Sequence, residues 1–158
     1  MTFTRAVSGG FARTLDFAGR SRRPEYWLFF AFVFAGAAVL GALDLALGRP
    51  TQGWLVSAFQ LVVFLPFLAV GWRRLQDTGR PGWYLLVPVA IVVGSTIVSG
   101  SVMQQIAALA IPALRSTGGG LLGALSILQV VAGAVIVYWM SRPSQRGPNA
   151  YGPEPRVR

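Results

Sequence analysis

"YWLFFAFVFAGAAVLGALDLALG" (residues 26–48) is an apolar run whose one charge, Asp44, lies near its far end. As a helix rising about 1.5 Å per residue, it is long enough to cross the roughly 30 Å hydrocarbon core of a bilayer. The carboxylate of Asp44 would then reach the headgroups of the far leaflet. The run also begins too late and runs too long for a cleavable signal peptide, so it is expected to stay in the membrane as an anchor.

Working outward, three more runs of this kind follow. Residues 54–72, "WLVSAFQLVVFLPFLAVGW", carry tryptophan at both ends, as interfacial anchors do, and contain Pro66, which is expected to kink the helix. A third crossing is placed at 83–103. A fourth, "LLGALSILQVVAGAVIVYWM", occupies 121–140. Between the third and fourth, residues 104–119 read as an interfacial or extramembrane connection broken by Pro112 and ended by glycines; the alternative is a long tilted helix reaching Ala110. The composition agrees, with 54% hydrophobic residues, 12% charged residues and a mean hydropathy of +0.57. A soluble domain carries about twice that share of charge. The expected fold is all-α: one integral-membrane four-helix bundle spanning residues 1–158.

Orientation follows from arginine, which supplies all fourteen basic residues. Five precede the first run, three lie between the second and third, and four lie in the tail; Arg49 and Arg115 alone fall on the other side. The positive-inside rule therefore puts residues 1–25, 73–82 and 141–158 in the cytoplasm of a bacterial inner (plasma) membrane, N-in and C-in. The formal net charge of +9 is accounted for by topology, and nucleic acid is not an expected partner. The chain has no cysteine and no histidine, which excludes disulfides, thiol catalysis, histidine acid–base chemistry and Cys/His metal sites. No catalytic residue, metal site or cofactor is expected.

Before the first span, Phe3, Val7, Phe11 and Leu15 recur every four residues, the stripe of a short amphipathic helix on the cytoplasmic leaflet. Gly9 and Gly10 weaken that helix, and a flexible arm is the competing reading.

Three polar segments share the cytoplasmic side: "GRSRRPEYW" (19–27), "RRLQDTGRPGW" (73–83) and "RGPNAYGPEP" (146–155). In the first, Pro24 suits the first turn of a helix, Glu25 complements the helix dipole, and Tyr26 and Trp27 read as headgroup anchors. In the second, Arg73 and Arg74 end a helix, and Asp77, Thr78 and Gly79 form a turn. Asp77, an acid among arginines, is expected to pair with Arg73, Arg74 or an arginine of the N-terminal segment. The third segment cannot be regular helix, and disorder and docking through Asn149 and Tyr151 remain open.

These three motifs, in this order over essentially the whole chain, resemble the bacterial inner-membrane proteins of domain-of-unknown-function family 805. The family pattern is approximately GRxxRxEYW, RRLHDxGxSGW and GxNxYGxDP; Gln76, Pro81 and Glu154 depart from it. The resemblance implies a small multi-span inner-membrane protein and no established activity, and it favours a docked tail.

The expected cytoplasmic cap and interaction residues are Arg20, Arg23, Glu25, Arg73, Arg74, Asp77, Asn149 and Tyr151, with Asp77 and Glu25 each paired to arginines of neighbouring segments. The expected interfacial anchors are Tyr26, Trp27, Trp54, Trp72, Trp83 and Trp139. Within the spans, Gln60 and Gln129 are candidates for bonds between helices, and Ala37/Gly41, Ser95/Ser99 and Gly119/Gly123 for close helix contact. The function expected is non-enzymatic, a basic cytoplasmic face for anionic lipid headgroups, a protein partner or a second copy of the chain. A subunit of a small transporter or channel is the alternative, disfavoured because no span carries a central charge. A lipid-modifying enzyme is third, since no catalytic motif supports it.

Overall fold

A chain with this much apolar backbone must satisfy its own N–H and C=O groups wherever it meets hydrocarbon, and helices do so locally. The structure, a computed structural model, describes residues 1–48, 53–109 and 112–155, with side chains described outside 104–118. Its elements are α1 (Phe3–Ala12), α2 (Arg23–Ala46), α3 (Trp54–Asp77), a 3₁₀ turn (Gly82–Leu85), α4 (Leu86–Leu109) and α5 (Pro112–Ser141). Four helical stretches are long and apolar enough to cross a membrane: Arg23–Ala46, Trp54–Asp77, Gly82–Met103 and Gly119–Ser141.

Two boundaries differ from expectation in ways that matter. The third candidate crossing is Gly82–Met103, as expected, but its helix α4 continues to Leu109, close to the alternative reading that carried it to Ala110, and α5 starts at Pro112, with Gly119 and Gly120 inside it. Proline is well tolerated at a first helical position, and the expected connection is largely helix. The α3 helix runs five residues past Trp72, so Arg73 to Asp77 lie on its final turns. It ends in a Schellman motif: Gly79 sits at φ 79°, Arg80 N donates to Leu75 O at 3.1 Å, and Gly79 N donates to Gln76 O at 3.1 Å.

Packing resolves the chain into two compact units: residues 1–82 with the tail from Arg142, and residues 83–141. In the first, α1, α2 and α3 pack mutually. Contacts between lipid-facing helices rest on close van der Waals fit, so small residues set the approach. A Cβ added at Gly36 would overlap the Phe59 ring, and one at Gly10 would overlap Phe29. Gly10 is thus the notch through which α1 seats on α2, with Phe3 and Phe11 against Phe32 and Phe11 also against Phe29. The N-terminal segment is a helix, and its buried residues are Ala6 and Gly10; Leu15, on the expected stripe, lies past its end and is exposed. Gly41 makes an ordinary 3.7 Å contact with Val56.

At the far end of this unit, Asp44 does not reach outward. It is fully buried, its Oδ2 accepts Val56 N at 3.3 Å, and a Cβ at Gly53 would overlap its carboxylate. The N-cap of α3 is a glycine with no side chain to offer, so the neighbouring helix supplies the cap. The second unit is the α4–α5 hairpin, joined by Gln129 Nε2 donating to Thr96 Oγ1 at 3.1 Å. Ser95 is buried and donates back to Ile91 O at 2.6 Å. Gly119 and Gly123 offer open space to a Cβ, and Gln60 is exposed, so those expected contacts do not form among the described residues.

Candidate functional site

The extension of α3 places Arg74 and Asp77 three residues apart on one helical face, the spacing at which side chains meet. Arg74 Nη1 donates to Asp77 Oδ2. Arg20, in the segment leading into α2, donates from Nε to Asp77 Oδ1 at 2.9 Å. Ser144 Oγ, in the tail, donates to Asp77 Oδ2. One carboxylate thus gathers the three polar segments, and the Arg20 and Asp77 side chains are only 1% and 0% exposed.

The arginines then reach onward to backbone oxygens. Arg20 Nη2 donates to Gln145 O at 2.5 Å and its Nη1 to Gly147 O at 2.6 Å. Arg74 Nη2 donates to Arg142 O. In return Gln145 N donates to Asp77 O at 2.9 Å. Asn149 completes the dock, its Nδ2 donating to Gln76 O at 2.9 Å while its Oδ1 accepts Tyr151 N at 2.9 Å. Glu154 Oε2 accepts Gly147 N at 2.9 Å. The tail is therefore an ordered fold through residue 155, with Gly147 and Gly152 at the positive φ values it needs.

Arg73 is buried and makes no ion pair among the described residues. Its Nη1 donates to Arg13 O at 2.9 Å and to Asp16 O, and its Nε to Ser21 Oγ at 3.2 Å. Ser21 N donates in turn to Arg73 O at 3.1 Å. Asp16, which is partly exposed, is held by Arg13 at 2.7 Å, and that hydrogen bond keeps its carboxyl below the ordinary carboxylate range.

A match to the family model for "Protein of unknown function (DUF805)" covers residues 14–153, a span that includes Arg20, Asp77 and Asn149. The chain belongs to the DUF805 family. It is 40% identical to Inner membrane protein YhaH of Escherichia coli K12 over 87 residues, 53% of this chain and 72% of the relative. Inner membrane protein YhaI of the same strain is 40% identical over 79 residues, 49% of this chain and 66% of that one. Uncharacterized protein YiiR, also of that strain, is 39% identical over 77 residues, 48% of this chain and 51% of that one. No solved structure matches.

In this DUF805 membrane protein the expected interaction residues divide into two groups. Arg20, Arg74 and Asp77 are buried and committed to internal bonds, and Arg73 is buried beside them with its Nη2 unpartnered among the described residues. Arg23 is half-buried, with Nε donating to Arg142 O at 2.7 Å, and it lines a surface cleft. Glu25 forms no ion pair among the described residues, contrary to expectation. Tyr26, read as an anchor, is 3% exposed and stacks on Phe67 at 5.6 Å, an internal aromatic contact. Trp72 is half-buried against Phe17 at 5.5 Å. Trp54 and Trp83 are exposed, as anchors must be, and Trp27 and Trp139 are half-buried. Ser21, Ser144 and Gln145 belong to the cluster and carry no sequence signal, because they act through hydroxyl or backbone groups that any loop supplies.

Proposed function

We propose that this protein is a non-enzymatic, four-span inner-membrane protein with both termini in the cytoplasm, whose basic cytoplasmic face engages anionic phospholipid headgroups. The reading is supported by how charge is spent. Twelve of the fourteen arginines and four of the five acids fall in the segments assigned to that side. Two of those acids, Asp16 and Asp77, are already held by arginines, so the arginine charge of that face far exceeds the acid left to neutralise it. A juxtamembrane arginine gains about 1 kcal/mol near an anionic leaflet. The buried Asp77, closed in by three donors, offers no route to a substrate and suits architecture rather than chemistry.

The cysteine-free chain makes the topology directly testable. A membrane-impermeant maleimide is expected to label Leu47→Cys in intact cells and Ala150→Cys only after permeabilisation. Native mass spectrometry of the gently purified protein is expected to show retained phosphatidylglycerol in preference to phosphatidylethanolamine. Labelling of Ala150→Cys from outside, or retention without preference, would overturn the reading.

A further inference from the structure

Between the start of α2 and the docked tail lies a cleft of about 410 Å³, walled by Arg22, Arg23, Pro24, Pro143, Pro155 and Glu154. We propose that it is a discrete binding site for the phosphoglycerol headgroup of an anionic lipid, an inference that rests on the face-binding reading above and narrows it to one place. Arg22 and Arg23 are adjacent, and Arg22's guanidinium has no hydrogen bond or ion pair among the described residues. Among the described residues Arg23 commits only its Nε, to Arg142 O, leaving the outer fork of its guanidinium. Both arginines line one cleft, and a guanidinium fork binds phosphate oxygens in bidentate fashion.

The size and walls choose between a lipid and a free anion. The cleft falls in the range of small-ligand pockets, about 300–1,000 Å³, and is many times the roughly 30 Å³ share of a water. A bare phosphate would leave it mostly empty, whereas phosphate plus glycerol fills more of it. Three prolines form apolar walls suited to glycerol carbons. The position suits the same ligand, since Arg23 opens a helix long and apolar enough to cross a membrane, whose end would meet the headgroups. Glu154 shares the cleft as a like charge to the ligand, but its Oε2 is turned to Gly147 N. Ser144 also lines it while donating its hydroxyl to Asp77, so the cleft wall and the buried cluster are one structure.

The test uses the full-length protein in mild detergent, titrated with short-chain phosphatidylglycerol and read by native mass spectrometry. Arg22→Gln and Arg23→Gln are each expected to weaken occupancy about tenfold, the loss of one charge-assisted contact. Arg5→Gln combined with Arg146→Gln, both exposed and outside the cleft, is expected to leave it within about twofold. Glu154→Gln, which keeps an acceptor for Gly147 N, is expected to strengthen it. The Arg22 side chain makes no hydrogen bond or ion pair among the described residues, so its variant keeps the test sound if Arg23→Gln fails to fold. Equal losses from the cleft pair and the distant pair would overturn the site while leaving the face-binding reading standing. No preference for phosphatidylglycerol over phosphatidylethanolamine in the unaltered protein would overturn both. Displacement of the lipid by millimolar inorganic phosphate would overturn the assignment to a lipid.

Discussion

Replacing Asp77 by asparagine should release the tail. The carboxylate accepts from Arg20, Arg74 and Ser144, and the three charged side chains are 1% exposed or less, so solvent does not screen them. Each guanidinium bond to a carboxylate contributes about 1.5–3 kcal/mol, and breaking one side of a buried pair costs about 3–5 kcal/mol. Asparagine keeps one acceptor oxygen but turns an amide toward donors, so about 3 kcal/mol is the working figure, or roughly a hundredfold in the opening equilibrium. Opening exposes the Arg146–Gly147 bond, and trypsin cleavage there tracks the open population when reclosing is fast. Tail cleavage should therefore quicken by about two orders of magnitude in Asp77→Asn. A double-mutant cycle with Arg20→Gln should show coupling above about 1 kcal/mol, because the two losses share one bond. Cleavage within a factor of two of the unaltered protein, or purely additive effects with both Arg20→Gln and Arg74→Gln, would refute the central role of Asp77.

Neighbouring glycines in α1 should respond with opposite signs. Gly9 offers open space to a Cβ, so Gly9→Ala should stabilise by about 0.5–1 kcal/mol, whereas Gly10→Ala drives a methyl into Phe29 and should cost about 1–3 kcal/mol. Thermal unfolding in detergent reads both, and a stabilising Gly10→Ala would mean that α1 does not seat on α2 as described. At the other end of the unit, Asp44→Ala removes the cap of α3 and should cost about 1–2 kcal/mol, and Asp44→Asn, which keeps an acceptor, should cost less. The same unfolding assay decides it, and an alanine variant as stable as the asparagine one would show that the cap contributes nothing.

The spans were legible because bilayer thickness imposes a length that few soluble elements share. The ends of helices were not, because distant chain decides them. Arg73 and Arg74 read as the end of the helix and Asp77 as part of a turn, yet the helix runs through Asp77, which with Arg74 finds partners in residues 20 and 142–145. Asp77 was recognisable as an acid among arginines, and shared sidedness brought Arg20 into consideration. The backbone oxygens of Arg142, Gln145 and Gly147 complete the dock without leaving any trace in residue type. Tyr26 illustrates the limit from the other side. An aromatic at the start of a span is compatible with a headgroup anchor and with a core contact, and only Phe67, forty-one positions away, decides between them. Gly10 was read as a weakness of its helix when its missing side chain is what Phe29 requires.

The most diagnostic consequence joins the buried cluster to the cleft beside it. Asp77→Asn removes a negative charge close to an anion site, and on long-range electrostatics alone it should tighten binding of phosphatidylglycerol. The structure argues for the opposite sign. Pro143, Ser144 and Pro155 wall the cleft only while the tail is docked, and docking depends on the bonds converging on Asp77. Releasing the tail dismantles one wall, and binding confined to the docked state falls in proportion to the docked fraction, so the loss grows as the opening equilibrium passes unity. Glu154→Gln, by contrast, removes the same charge without touching those bonds and should tighten binding. Two substitutions that each remove one negative charge are therefore expected to move lipid affinity in opposite directions. If both tighten it, the face acts as a diffuse field of positive charge. If Asp77→Asn weakens binding while Glu154→Gln strengthens it, the cluster is the device that holds the cleft in shape.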